Sequence, residues 1–350
     1  MSPVEGESLQ RYRKGGYHPI TLGQHLRAGR YKVLHKLGWG GYSTVWAARD
    51  QRLKRVYVAI KISISETNHE KGTRELQTLK KLASHCRYRK HIISILDTFE
   101  LNGPNGMHRC LVYELLGPNI PDIIDAHFPI GRLPGKLAKR IAKQFTDILG
   151  KPELGLVRRL DGQGLEANVP SYMVKPTPYP TQSWDSAQSI KIIDFGESFL
   201  RTTIPQTLHT PLPVRAPEVI FEDRIDYQVD LWSMGCMLFE LFTGQPPFDT
   251  FMITRAILVA QMREMASDDL PARWQQKWNE MNTGDDTNTE STGHNLQEWL
   301  EEVYFDGCQS PDLTRDDILK LGQIIGRLLK FEPSARASAR EILDDPWFDE

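Results

Sequence analysis

The sequence predicts an α+β chain in which a strand-rich amino-terminal part precedes a helix-rich carboxyl-terminal part. Three observations carry that reading. Apolar and polar residues alternate around a glycine turn over 31–62, the period of paired, half-buried strands. From residue 134 the apolar spacing is mostly helical. The stretch "QVDLWSMGCMLFELFTG" (228–244) is apolar on nearly every side, as a buried central helix requires.

The elements follow in order. "YKVLHKLGWGGYSTVWAARD" (31–50) and "RVYVAIKIS" (55–63) read as strands joined at glycines. "TRELQTLKKLAS" (73–84) reads as a helix with Leu76, Leu79 and Leu82 on one face. "HIISILDTFE" (91–100) and "HRCLVYELL" (108–116) are two further strands. "PGKLAKRIAKQFTDILG" (134–150) starts on a proline, aligns Leu137, Ile141, Phe145 and Ile148, and stops at Gly150. Residues 151–189, rich in Gly, Pro and Ser and without helical period, read as a long spacer. "IKIIDFGES" (190–198) reads as a buried strand, and 283–295 has the composition of a disordered segment.

The totals exclude several classes. A chain of 350 residues, 40% hydrophobic and 25% charged, is large enough for two globular parts. The first ten residues are polar and acidic, unlike a secretory signal, and no apolar run reaches membrane-spanning length. Cys86, Cys110, Cys236 and Cys308 lie far apart with no CxxC pair, so free buried thiols in a reducing compartment are expected instead of a zinc site. Charge is uneven. Residues 1–61 carry twelve Lys/Arg against three Asp/Glu, and residues 264–312 carry twelve Asp/Glu against two Lys/Arg. Two solvated faces would explain this, as would an acidic surface for a basic partner. No aromatic-basic stripe supports a nucleic-acid-binding module.

One set of residues carries chemistry. In "LGWGGYSTV" (37–45), Gly38 and Gly40 sit in a tight turn where absent side chains let backbone N–H groups approach phosphates. Glycine hairpins are common, and alone the turn says little. "VAIK" follows on the next strand, and Lys61 is a cation in an apolar run that needs anionic partners. Glu75 on the following helix supplies one, and phosphates would supply the other. Asp194 in "IIDFG" ends an apolar run with a carboxylate suited to Mg²⁺ held against phosphate oxygens.

With "APE" (216–218), "DLWSMG" (230–235) and "FEPSARAS" (331–338) in the same order, the chain from 31 to 348 resembles a eukaryotic protein kinase. That resemblance implies a bilobal fold, with a strand-rich N-lobe (31–116) and a helical C-lobe (117–348) after an amino-terminal extension (1–30). "YRKGGYHPITLGQHLRAGRYKVLHKLGWGGYSTVW" (12–46) is similar to the SR-protein kinases, which phosphorylate serines of Arg/Ser-rich splicing factors. Ser43 stands where many kinases have a third glycine. The spacer resembles that of fungal members of this group. The resemblance implies ATP and Mg²⁺ as ligands, with Leu37, Gly38, Trp39, Gly40, Gly41, Ser43, Val45, Ala59, Lys61, Tyr113, Glu114 and Leu116 around the nucleotide. Tyr113 would be the gatekeeper, Glu114–Leu116 the adenine-contacting hinge, Lys61, Glu75 and Asp194 the catalytic set, and Asp194 the metal ligand. Arg336 would pair with Glu218. The resemblance further implies Arg/Ser-rich proteins as partners without direct nucleic-acid or membrane binding, a monomer, and residence in cytoplasm and nucleus.

One part of the pattern is missing. Such enzymes carry an H-x-D-x-x-x-x-N loop whose Asp meets the substrate hydroxyl and whose Asn holds a second metal. None of the ten histidines is followed by Asp at the second position. Asp97 has Asn102 five residues on but lies among the early strands. Asp161 is better placed, yet its first asparagine is Asn168, seven residues later, and no lysine stands two residues after it. The start of the helix before that loop is present as "LAKRIAKQ" (137–144), and the remainder of the helix, the catalytic loop and the strands after it are absent as one gap, joined near Gln144–Phe145. A single clean gap favours loss of one segment from an ordinary kinase; the other reading is a pseudokinase that binds nucleotide and partners without transfer.

Overall fold

The computed structural model describes residues 6–53, 56–65, 71–84, 91–117, 119, 154–159, 163–174, 191–248, 254–282, 294–305 and 311–348. The expected helix 134–150, the Gln144–Phe145 junction, Asp161, Cys86, Cys308 and residues 283–293 lie outside that set. The described residues divide into two units, one up to Ser198 and one from Phe199.

The first unit is built on six antiparallel strands: β1 His25–Leu26, β2 Tyr31–Gly40, β3 Ser43–Asp50, β4 Val56–Ser63, β5 Ile95–Gly103 and β6 Gly106–Glu114. Their order is β1-β2-β3-β4-β6-β5, so each neighbour except β4–β6 is also a neighbour in sequence. Alternation decides which face each side chain takes. Val58, Ile60 and Ile62 point one way with Trp46, Ala48, Cys110 and Val112; Ala59 points the other way with Leu111 and Tyr113. Helix α1 (Lys71–Ala83) covers the second face through Leu76, Leu79 and their neighbours, as the leucine spacing predicts.

What covers the first face was not foreseen. Ile20 and Leu22 of the amino-terminal segment lie on it, together with a two-stranded hairpin, β7 (Leu154–Leu156) and β8 (Tyr172–Val174). Val174 is buried there, and the Tyr172 hydroxyl accepts a hydrogen bond from the Leu22 amide at 2.8 Å. The reading of 151–189 as a spacer of the helical lobe is therefore revised: part of it is a hairpin of the first unit. Strands of three residues carry too little periodic signal to be read, and they gain stability only from the surface they cover.

The second unit is helical: α2 (Pro217–Ile220), α3 (Gln228–Thr243), α4 (Arg255–Met265), α5 (Gln275–Met281), α6 (Leu296–Phe305), α7 (Arg315–Leu328) and α8 (Ala339–Leu343). The central element is α3, with Trp232, Cys236 and Phe239 at zero exposure, and it ends where Gly244 takes the left-handed φ of 80°. Thr314 and Ser338 cap α7 and α8 through reciprocal capping boxes. Arg336 donates to both Glu218 oxygens at 2.7 Å and also to the carbonyls of Gln228 and Lys330. Both partners are sealed from solvent, so the expected Arg336–Glu218 pair is present and fully hydrogen-bonded. Cys110 and Cys236 are free and buried, and burial pushes both thiols up. Among the described residues no helix is long and apolar enough to cross a membrane.

Candidate functional site

The β2–β3 hairpin closes with Gly40 opposite Ser43 and Gly38 opposite Val45. A Cβ added at Gly38 or Gly40 would meet nothing within 4 Å. No packing inside the chain therefore requires glycine there; what the missing side chains allow is close approach from outside. Leu37 and Val45 lie against Ala59, Leu79, Leu111 and Tyr113, and Phe195 joins the same cluster. Trp39 is turned differently: its ring faces the Lys36 ammonium at 5.6 Å.

Lys61 stands on β4 between Val45 of β3 and Leu111 of β6. Its ammonium reaches both oxygens of Glu75 at 3.1 Å and Asp194 Oδ1 at 2.8 Å. Glu75, on α1, is buried and receives a further hydrogen bond at 2.8 Å from the Tyr113 hydroxyl. Burial works to lower Lys61, but the two carboxylates outweigh it and hold the ammonium above its ordinary value. Burial likewise works to raise Asp194, and Lys61 outweighs it, keeping the carboxyl below the usual range. Burial, reinforced by Glu75, pushes the Tyr113 hydroxyl up, so it stays a donor. The predicted trio Lys61, Glu75 and Asp194 is thus brought together. Tyr113 enters as a support for Glu75, a contact that its place on a strand did not reveal.

Asp194 has φ of 59°, the left-handed region that non-glycine residues seldom occupy. The Gly196 amide bonds its Oδ1 at 3.3 Å, and a Cβ on Gly196 would come within 3.2 Å of that oxygen. Ser198 Oγ is bonded to Phe195 O at 2.7 Å and lies 3.1 Å from Thr78 Oγ1, tying the segment to α1. The expected buried strand is corrected here. Ile192 and Ile193 are 61% and 51% exposed, and the segment makes one isolated parallel bridge, Ile92–Ile192. An apolar run becomes a buried strand only when neighbours cover it, and among the described residues this run has a ladder partner at a single point.

At the hinge, the Glu114 carboxylate accepts from the Ser94 amide at 2.7 Å and from Lys191 at 2.5 Å, and Leu116 is half-buried. Asp97 is held by Arg27, by Arg30 at 3.0 Å and by the Tyr31 hydroxyl at 2.7 Å, which makes it structural. Asn168 donates to the Tyr12 carbonyl at 3.0 Å, inside the contact between hairpin and amino-terminal segment.

The donor set fits a nucleotide with a hard cation. Lys61 is a cation matched by two carboxylates, and the excess one, Asp194, is 73% exposed on its side chain. Among the described residues no group of three or more His, Cys, Asp or Glu could hold a metal alone. A single carboxylate suits Mg²⁺, which takes most of its ligands from phosphate and water.

Comparison with known proteins shows what the chain resembles. A protein kinase domain model matches residues 183–348. The chain is 27% identical to the serine/threonine-protein kinase SRPK of Physarum polycephalum, over 98% of this chain and 91% of that protein. It is 41% identical to protein kinase dsk1 of Schizosaccharomyces pombe over 40% of this chain and 26% of that one. It is 37% identical to SRSF protein kinase 3 of Homo sapiens over 40% of this chain and 25% of that one. Residues 183–348 match a protein kinase domain, and across most of its length the chain is similar to a serine/threonine kinase of the SR-protein-kinase type.

Proposed function

We propose that the first unit binds ATP with Mg²⁺, that the acidic helical surface engages Arg/Ser-rich protein segments, and that transfer to serine is impaired in this chain. The observation that carries the nucleotide reading is Lys61 held between Glu75 and Asp194 beside an unobstructed glycine turn. Lys61 would hold phosphate oxygens, Glu75 and Tyr113 would aim Lys61, and Asp194 would take the metal. Bound Mg²⁺ would neutralise charge developing on the phosphates. Leu37, Val45 and Ala59 would contact the adenine face, and Glu114–Leu116 its edge.

Impairment follows from the missing loop. Asp97 and Asn168 are committed to structural bonds, which supports the absence of a base and a second metal ligand. An alignment of 401 positions against a 350-residue chain also leaves positions that this chain does not fill. General-base catalysis contributes about 10²–10⁴-fold, and positioning of the serine hydroxyl is lost with it. The alternative is a pseudokinase or scaffold that binds nucleotide and Arg/Ser-rich partners without catalysis; cytoplasm and nucleus are the proposed location under either reading.

The test is radiolabel transfer from ATP to an Arg/Ser peptide, with Asp194→Ala as the blank and a loop-restored chain alongside. No transfer above the blank until the loop is restored is the expected result. Robust transfer by the chain as it stands, abolished by Asp161→Asn, would overturn the proposal.

A further inference from the structure

Besides covering the sheet through Ile20 and Leu22, the segment 6–22 is tied to the strands at its other end. The Glu7 carboxylate accepts from the Tyr12 hydroxyl and from the Lys36 ammonium. All three residues are buried, Lys36 at zero exposure. Lys36 lies on β2, two residues before Gly38, with Nζ 5.6 and 5.5 Å from the ring centroids of Trp39 and Trp46. Two opposite charges removed from water are tolerated only when each is closely partnered, so this pair fixes the amino-terminal segment to the strand that leads into the glycine turn.

The segment then grips the turn itself. The Tyr17 hydroxyl donates to the Gly40 carbonyl at 2.8 Å and accepts from Arg11 Nη1 at 3.2 Å, while the Arg11 guanidinium lies 4.9 Å over the same ring. The Gly16 carbonyl takes the Ser65 amide at 3.2 Å just beyond β4, and Ile64 N bonds Tyr42 O at 2.9 Å. On the other side Asn105, in the β5–β6 turn, donates to the Tyr17 carbonyl at 2.6 Å and accepts from Gly15 N at 2.8 Å. Tyr12, Tyr17, Ile64, Val157 and Met173 close the cluster, so the β7–β8 hairpin backs the segment.

The consequence lies in one peptide plane. In a trans peptide the C=O of Gly40 and the N–H of Gly41 point to opposite sides. Between two glycines that plane is otherwise cheap to flip, because neither residue restricts φ. Tyr17 holds the Gly40 carbonyl toward the strap, which lies on the even-numbered face of β4 through Ile20 against Val58, Ile60 and Ile62, and packs on Ile64 just beyond the strand. Lys61 belongs to the odd-numbered face. We propose that residues 6–22 form a strap locked by the Glu7–Lys36 pair, and that Tyr17 is a positioning residue which turns the Gly41 amide toward the Lys61 side, ready for a nucleotide's phosphates. The inference rests on the nucleotide reading above for its ligand, though not for the strap itself.

The test uses the full chain. Calorimetric titration with Mg-ATP and with adenosine, for wild type and Tyr17→Phe, separates phosphate contacts from adenine contacts. Loss of the one hydrogen bond should weaken Mg-ATP by about three- to tenfold and leave adenosine unchanged. Amide hydrogen exchange over residues 38–45, without ligand, should speed up in the variant. Glu7→Gln, which loosens the strap at its far end, should move both readouts in the same direction. An equal loss of adenosine and Mg-ATP affinity, or turn amides that exchange as in wild type, would overturn the proposal. Wild type binding neither ligand would remove the nucleotide reading, and the exchange measurement would then decide the strap alone.

Discussion

Replacing Lys61 with methionine keeps the reach of the side chain and removes the cation that Glu75 and Asp194 both touch. Three contacts are lost, two at 3.1 Å and one at 2.8 Å. The contact with Asp194 contributes little to stability, because that carboxylate is 73% exposed and water replaces the ammonium. Glu75 is different: its side chain is 6% exposed and keeps the Tyr113 hydroxyl as a donor. Deleting one partner of a buried pair costs about 3–5 kcal/mol. The Lys61 side chain retains 16% exposure, which lets water reach part of the vacated space. A loss of about 2–4 kcal/mol is expected. Native-state hydrogen exchange on β4 and β6 reads it directly. The double variant Lys61→Met/Glu75→Met should return to within about 1 kcal/mol of wild type, since an apolar pair of similar volume can replace a buried ion pair. Mg-ATP binding should be lost in single and double variants alike, separating fold from site. The alkaline flank adds a check on sign. With the folded Lys61 held above its ordinary value, its contribution is present below about pH 10.4 and fades as pH rises through the raised value. Lys61→Met should abolish that loss. A cost under about 1 kcal/mol, or a double variant as unstable as both singles summed, would refute this account of the site.

Three further outcomes are expected. Arg336→Gln should remove about 3–5 kcal/mol from the helical unit, read by exchange across α3, because Glu218 would stay buried without its cation; a loss under about 1 kcal/mol would contradict that. His18 is buried against His108, with ring centroids 4.9 Å apart, and burial first and His108 second lower it to about 4. Its neutral form therefore favours the fold above about pH 6.5, and on the order of 3 kcal/mol should be lost as pH falls from there through 4; His18→Phe should flatten that part of the urea-midpoint profile. An Arg/Ser peptide should bind the helical unit and weaken as salt rises, since exposed charges are screened beyond about 10 Å at 0.1 M; a cavity of about 650 Å³ lined in part by Glu264 and Asp269 is one place to mutate. Salt-independent binding would count against an acidic docking surface.

Much of the site was legible because its signals are local. A lysine within an apolar strand needs partners, and Glu75 lies on the next helix face beside Leu76 and Leu79. The APE glutamate and Arg336 were legible only through resemblance, since 118 residues separate them. The acidic stretch was legible in composition but not in detail. Trp274 and Trp278 are buried, Asp268 accepts two backbone amides, and Asp312 accepts the Tyr304 hydroxyl, so part of its charge is structural. The 190–194 run misled because an apolar stretch states a preference for burial and says nothing about which neighbours are present to satisfy it.

By itself the sequence placed β2 to β6, α1 and the central helix α3, supplied the residue types of the proposed nucleotide-facing set, and showed that no H-x-D sequence is present. Those follow from period, spacing and charge within short windows. Only the tertiary structure decided that residues 6–22 and the β7–β8 hairpin cover one face of the sheet, that Tyr113 braces Glu75, and that Glu7 neutralises Lys36. Each of these joins positions far apart in the chain. A buried charge or an apolar strand face announces that it needs a partner, but several segments could meet that need. Which one does is settled by the shape of the surface against which it packs.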